Sequence, residues 1–469
     1  MPPSPTYRPD PAFATLGPDF ADPVEPARFP SHTLRWRNQA WAARVGLGAL
    51  SDTEWENHFA RFEPLANNQP HPLAMRYHGH QFRVYNPEIG DGRGFLFGQL
   101  RDDKNRLLDF GTKGSGKTPY SRFGDGRLTL KGGVREVLAA QMLEALGVYT
   151  SKAFSLFETG EALQRHDEPS PTRSSVLVRL SHSHIRIGAF QRLAFFERKD
   201  LIQQLIDHVI ACYYPAHAHL ESEARVAAVL GEVVEATARL AASWMCAGFV
   251  HGVLNTDNLN VTGESFDYGP WRFTPTSKPD FTAAYFDESG LYAFGRQPEA
   301  VSWALAQFAG ALLEVCSAPL LELELGRFGP AYQQQLRDSM FSRLDLTKGD
   351  WATDLEFLQS VFNWLTETQA GYDQFFHDWR GGGASAQRAA QSPQAALYDQ
   401  PAFAPIRAGL DQRSASSAPT HPYFQRPAPT TMLIDEVETL WDAIAARDDW
   451  SLFDAKIAAI VELKDALGN

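Results

Sequence analysis

Apolar residues recur at steps of three and four through KGGVREVLAAQMLEALGV, where Val134, Leu138, Met142 and Leu146 share one stripe and Gly147 stands near its stop. That spacing predicts an amphipathic helix. Ahead of it, GFLFGQL and RLLDFGTK flank the turn formers DDKNR and predict a hairpin, and AFSLFETG and SSVLVRLS predict two further strands. The stretch from about 94 to 181 therefore reads as a sheet with one embedded helix. After about 195 the period changes. DLIQQLIDHVIACYY predicts a helix, and EARVAAVLGEVVEATARLAASWMCAGFV predicts a long one running through Val229, Val233, Leu240 and Trp244 to a stop at Gly248. PEAVSWALAQFAGALLEV opens with Pro298, a residue suited to a first helical turn. Residues 1 to about 30, dense in Pro and Asp, predict an extended lead-in draped over the surface rather than building a core. Segments 380–395 and 410–420, rich in Gly, Ala, Ser and Gln, predict loops, and a last helix is expected at about 433–446. No internal repeat is present.

A small sheet-rich part ahead of a larger helical one is the outline of an α+β, protein-kinase-like bilobal fold. Residues 1–65 are expected to form an extended segment with packing helices, 66–192 a small N-lobe, and 193–469 a helical C-lobe with a C-terminal extension. A chain of 469 residues, 44% of them hydrophobic, suffices for the core of such a fold. The net charge of −13, without any basic block, argues against nucleic-acid binding, which requires cations to displace counterions from phosphate. Cys212, Cys246 and Cys316 are scattered and signal neither a zinc site nor a disulfide framework. The N-terminal MPPSPTYRPDPAF lacks the apolar core of a signal peptide, and no apolar run is long enough to span a bilayer. A soluble, cytoplasmic, monomeric protein that does not engage membranes is expected.

Candidate chemistry begins with GTKGSGKTPYSR. Gly111-x-x-x-x-Gly116-Lys117-Thr118 fits the P-loop pattern, in which a glycine loop cradles phosphates at the start of a helix. Pro119 and the turn formers after it leave no room for that helix, so the lysine that matters is expected to be Lys113, at the end of a strand. Beyond the long helix stands HGVLNTDN, followed by Asp267-Tyr268-Gly269. Protein kinases place H-x-D-x-x-x-x-N and D-F-G at this point, with an aspartate to take the substrate proton and an Asn and an Asp to hold magnesium. His251 and Asn258 keep that spacing, but Val253 occupies the aspartate position and accepts no proton. Asp257 is the carboxylate left in the loop. Lys113 and Glu136 then match a strand lysine paired with a helix glutamate. The turn GDGR, Gly90 to Arg93, would let backbone approach phosphate oxygens. His78 and His80, and His182 and His184, are spaced two apart without a carboxylate or cysteine cluster, and structural hydrogen bonding is expected of them rather than metal binding.

YHGHQFRVYNPEIGDGR, KGSGKTPYSRFGDGR, VREVLAAQMLEALGVYTSKAFSL, LVRLSHSHIRIGAF and HGVLNTDN with FDYGP resemble, in the same order, the selenoprotein O (SelO) family of pseudokinases, from about Pro64 to Ala311. The resemblance implies transfer of AMP from ATP to a hydroxyl of a protein side chain, with ATP bound in the sense opposite to ordinary kinases. It implies nucleotide binding by Gly90, Gly92, Arg93, Lys113, Asp125, Gly126, Arg179, Arg186 and Asp267. Glu136 matches the partner of the lysine, Asp257 the proton acceptor, and Asn258 and Asp267 the ligands of Mg2+ or Mn2+. Attack at the α-phosphorus makes pyrophosphate the leaving group, and Arg179 and Arg186 offer the fixed positive charge that the growing anion requires. The chain departs from many relatives in ending ELKDALGN, with no cysteine after Cys316. Two other readings stand beside this one: a kinase that transfers the γ-phosphoryl group, which Val253 disfavours, and a nucleotide-binding scaffold without transferase activity.

Overall fold

The computed structural model describes residues 4–166, 168–415 and 417–469. Its strands, in chain order, are β1 (Ala21–Pro23), β2 (Thr33–Arg37), β3 (Leu73–Met75), β4 (Gly79–Gln81), β5 (Val84–Asn86), β6 (Leu96–Arg101), β7 (Leu107–Lys113), β8 (Leu128–Thr129), β9 (Lys152–Leu163), β10 (Thr172–Ser181), β11 (Phe249–Val250) and β12 (Arg272–Phe273). The helices that frame the site are α1 (Gln39–Arg44), α2 (Asp52–Phe59), α3 (Leu130–Ala145), α4 (Ile187–Phe195), α5 (Lys199–Tyr213), α6 (Ser222–Ala247) and α7 (Gln297–Leu312). No helix among the described residues is long and apolar enough to cross a membrane.

One antiparallel sheet dominates the first part of this mixed α/β chain, in the order β1-β3-β6-β7-β10-β9-β2, with β8 pairing to β10. The hairpin expected around DDKNR is β6 with β7, Leu96 opposite Gly111 and Arg101 opposite Leu107. Its turn closes on Asp102, whose carboxylate accepts the Lys104 and Arg106 amides. Asn105 takes the left-handed conformation there, at φ 62°, which its short polar side chain tolerates. Both faces of the sheet are covered. On one, Trp55 and Phe59 of α2 pack on Phe154 and Phe110, with ring centroids 4.9 and 5.4 Å apart. On the other lies α3, capped by the Thr129 hydroxyl and followed by the left-handed Gly147. Its glutamate is thereby carried beneath the end of β7.

The long helix α6 ends, as its sequence predicts, at the left-handed Gly248, and the chain passes directly into the loop that starts at His251. Trp244 is fully buried on α6 and donates its indole N–H to the Ser265 hydroxyl at 3.0 Å, tying the helix to the segment that leads to Asp267. Trp244→Ala is expected to cost about 3–5 kcal/mol of stability through the cavity it leaves, measurable by urea denaturation with the slope unchanged.

The structure corrects two expectations. The proline-rich N-terminus does build core: Phe13, Leu16, Phe20 and Ala21 are buried in the main hydrophobic cluster, and β1 pairs with β3. Prolines break the regular period there, so the apolar residues follow no helical or strand template. The helix at Ile434–Arg447 is not the last, because Ser451–Leu467 forms another, and helical turns at Gly382–Ser385 and Ala386–Ala389 occupy much of the expected loop 380–395, whereas in 410–420 the helix Ala404–Gln412 reaches only the first three residues. The left-handed Gly381 and Gly382 start those turns, where composition alone suggested irregular chain.

Candidate active site

A cleft of about 690 Å³ opens beside the end of β7 and takes its walls from the glycine turn, the loop 120–127, β10 and the segments carrying Asp257 and Asp267. Gly90, Gly92, Arg93, Lys113, Asp125, Gly126, Arg179, Arg186, Asp257 and Asp267 all line it. Glu136 sits behind the wall on α3, where its carboxylate accepts from the Lys113 ammonium. Asn258 ends the short turn Thr256–Asn258, and its amide nitrogen donates to the Val253 carbonyl at 2.8 Å. Asn258 is buried and, unlike Asp257 and Asp267, does not line the cleft. Lys117, the lysine of the apparent P-loop, is exposed and lies outside the cleft lining, and the next helix after it begins only at Leu130.

The glycines of the turn are required by close packing. A Cβ on Gly90 would stand 2.5 Å from the Tyr120 ring, and one on Gly92 would stand 2.9 Å from the Tyr120 carbonyl oxygen. The Tyr120 hydroxyl donates to Asp22, which also pairs with Arg76, and the Ser121 hydroxyl donates to the Gly92 carbonyl at 2.5 Å. The run TPYSR thus staples the glycine turn into place. At Gly126, φ is 71° and a Cβ would meet the Gly116 backbone at 2.3 Å, so that bend also needs glycine.

Charge in the cleft is tightly paired. Lys113 Nζ lies 2.6 Å from Asp267 Oδ1, and Arg179 Nη1 reaches the same oxygen at 3.3 Å. Burial alone would raise the Asp267 carboxyl, yet Lys113, Arg179 and Arg93 outweigh it and hold the group well below the usual carboxylate range. Asp267 also adopts a left-handed φ of 64°, an unfavourable conformation for a residue other than glycine that recurs at functional positions. Arg186, buried at the start of α4, donates to Asp91 at 3.0 Å and lies over the Tyr77 ring at 4.3 Å. Among the described residues Asp257 makes no ion pair, and its Oδ1 is buried without a hydrogen-bond partner, as is Arg179 Nε. Burial pushes its carboxyl up to about 6, against the pull of Arg186.

His251 is buried and joins the loop to the segment that carries Asp267, its Nε2 standing 2.9 Å from the Phe266 carbonyl oxygen. The other histidines make structural hydrogen bonds: His78 with the Tyr85 hydroxyl, His80 with Gln191, His182 with the Tyr149 hydroxyl, and His184 through its amide to Asp109. Among the described residues no group of three or more His, Cys, Asp or Glu gathers that could hold a metal on those side chains alone. Sequence reading passed over Asp91, Tyr77 and Tyr120. Asp91 lies inside GDGR and Tyr120 inside TPYSR, so both motifs contained the signal, but only the folded chain reveals which partner each one grips.

A cleft that crowds lysine and arginine around glycine turns is built for a polyanion, and among known proteins its owner falls in the class of nucleotidyltransferases. A family model described as protein adenylyltransferase SelO matches residues 5–461. The chain belongs to this family. Relatives called protein nucleotidyltransferase YdiU include one from Gloeobacter violaceus, 47% identical over 95% of this chain and 93% of its own length, and one from Synechococcus elongatus, 45% identical with the same coverage. A third, from Myxococcus xanthus, is 34% identical over 96% of this chain and 92% of its own.

Proposed function

We propose that this enzyme transfers AMP from ATP to Ser, Thr or Tyr hydroxyls of other proteins and releases pyrophosphate. It would do so in a protein-kinase-like bilobal fold, with 66–192 as the N-lobe, 193–469 as the C-lobe and 1–65 as the N-terminal segment. The observation that carries the reading is the wall formed by Lys113, Arg179 and Arg186, all buried and all lining one cleft. Preorganised cations at that depth suit the β- and γ-phosphates of an inverted triphosphate, which become the leaving group when the α-phosphorus is attacked.

Lys113 and Arg179 both pair with Asp267. A triphosphate entering the cleft competes for the same donors and frees the carboxylate. Asp267, held ionised, and the Asn258 oxygen are hard donors that fit a divalent ion completed by water and phosphate oxygens. Magnesium or manganese bound there would neutralise charge on the phosphates. The acceptor hydroxyl would give its proton to the Asp257 carboxylate as its oxygen bonds to the α-phosphorus and the bond to the pyrophosphate oxygen breaks. Val253 supports this over γ-phosphoryl transfer, since no carboxylate occupies the place where a kinase keeps its base.

Incubation with ATP labelled at the α or the γ phosphate tests the proposal. Label from the α position alone should enter protein; label from the γ position alone would make the enzyme a kinase, and binding of ATP without transfer would make it a scaffold. Lys113→Ala should lower kcat/KM for ATP by about 100-fold through looser placement of the phosphates, with Glu136→Gln giving a smaller loss in the same assay.

A further inference from the structure

The turn joining β4 to β5 consists of Phe82 and Arg83, at φ 49° and 65°. Two-residue turns of this left-handed kind normally use Asn-Gly, and large side chains there persist only where their surroundings enforce them. Here the Phe82 amide donates to Asn255 Oδ1 at 3.0 Å, and Arg83 pairs with Glu299 at 3.0 Å. The enforced turn holds the Phe82 ring 5.9 Å from Phe286 and 5.1 Å from Tyr292.

Opposite it, the segment 285–292 is equally fixed. Asp287 accepts the Leu291 and Tyr292 amides, both at 2.8 Å, and the Tyr292 hydroxyl donates to the same Asn255 oxygen at 2.8 Å. This braced segment nevertheless leaves Tyr285 84% and Phe286 47% exposed, with their rings 5.1 Å apart. The hairpin that carries Phe82 links this patch to the cleft. Gln81 of the same hairpin lines it, and a Cβ on Gly79 would lie 3.3 Å from Asp257 Oδ1, so the hairpin passes directly over the unpartnered oxygen.

We propose that Phe82, Tyr285 and Phe286 form the seat for an apolar side chain of the acceptor protein, on an extended segment that brings its hydroxyl to Asp257. The inference rests on the AMP-transfer reading above. Exposed aromatic anchors beside a reacting group are the usual centres of protein recognition, because they contribute large contact area at little cost in side-chain freedom. A rigid platform anchored through Asn255, two residues from Asp257, would also fix the distance between the recognised side chain and the modified hydroxyl.

The test uses the full-length protein, α-labelled ATP, magnesium and an array of peptides, each with one Ser, Thr or Tyr and with Leu, Phe or Ala scanned through the flanking positions. The wild type should favour Leu or Phe over Ala at one fixed position. Tyr285→Ala/Phe286→Ala should erase that preference and lower labelling roughly tenfold, the scale of a lost aromatic anchor, with ATP affinity and melting temperature unchanged. Tyr285→Leu/Phe286→Leu should restore much of it. Labelled peptides without an apolar preference, a preference that survives the double alanine change, or label entering folded proteins but no peptide would overturn the docking surface alone. Absence of α label from every peptide and protein with the wild type would overturn the AMP-transfer reading and this inference with it.

Discussion

Asp267→Ala is expected to abolish AMP transfer, with a loss of at least about 1,000-fold in kcat, while the protein still binds ATP. The carboxylate has two tasks in this cleft. It neutralises Lys113 and Arg179, and in the proposed mechanism it would be the anionic ligand for a divalent ion. Removing it leaves Lys113 paired with Glu136, so the buried ammonium keeps a partner and the fold should survive. It also leaves Arg179 and Lys113 without the anion that competes with phosphate. ATP affinity measured by calorimetry in EDTA should therefore be equal to or tighter than that of the wild type, whereas magnesium should no longer strengthen it. A general structural role would instead weaken binding with and without metal. Full transfer activity in Asp267→Ala would remove the metal assignment.

The sequence carried the order of the local elements because each leaves a periodic signature. The β6–β7 hairpin is two apolar runs around turn formers, buried on both faces, whereas α3 and α6 carry a helical apolar stripe and stop at Gly147 and Gly248. Lys113 and Glu136 could be linked for the same reason, one closing a strand and the other set nearly two turns into the next helix. Contacts between distant segments were not legible. Asp22 holds Tyr120, which in turn excludes any side chain from Gly90, and nothing in the local pattern of these three segments refers to the others. The N-terminal core residues escaped notice because prolines hide their period. The helix Ser451–Leu467 lies where composition gave weak contrast, yet it reaches back to the site's support: Lys464 pairs with Glu144 on α3 at 3.2 Å, and Asn469 donates to the Ala145 carbonyl at 2.9 Å.

The second large effect is expected at Asp257, where exchange of one oxygen for an amide nitrogen keeps the shape and removes the proton acceptor. Asp257→Asn should lower kcat by about 100- to 10,000-fold, the range for loss of a positioned general base, with little change in the KM for ATP. An alternative is that Asp257 serves only to balance Arg186 electrostatically. The pH profile separates the two. A base must be ionised to act, so wild-type kcat should rise with pH through the carboxyl's pKa, which burial sets at about 6 in the nucleotide-free protein and which a bound divalent ion would pull lower. The acid limb should consequently end at or below pH 6, and it should vanish in Asp257→Asn, whose residual rate has no carboxyl to titrate. If Asp257 only balanced charge, the variant would keep the limb and lose ATP affinity instead, because Arg186 would be left with a different set of neighbours. Persistence of the wild-type acid limb in the asparagine variant would transfer the base role to another group.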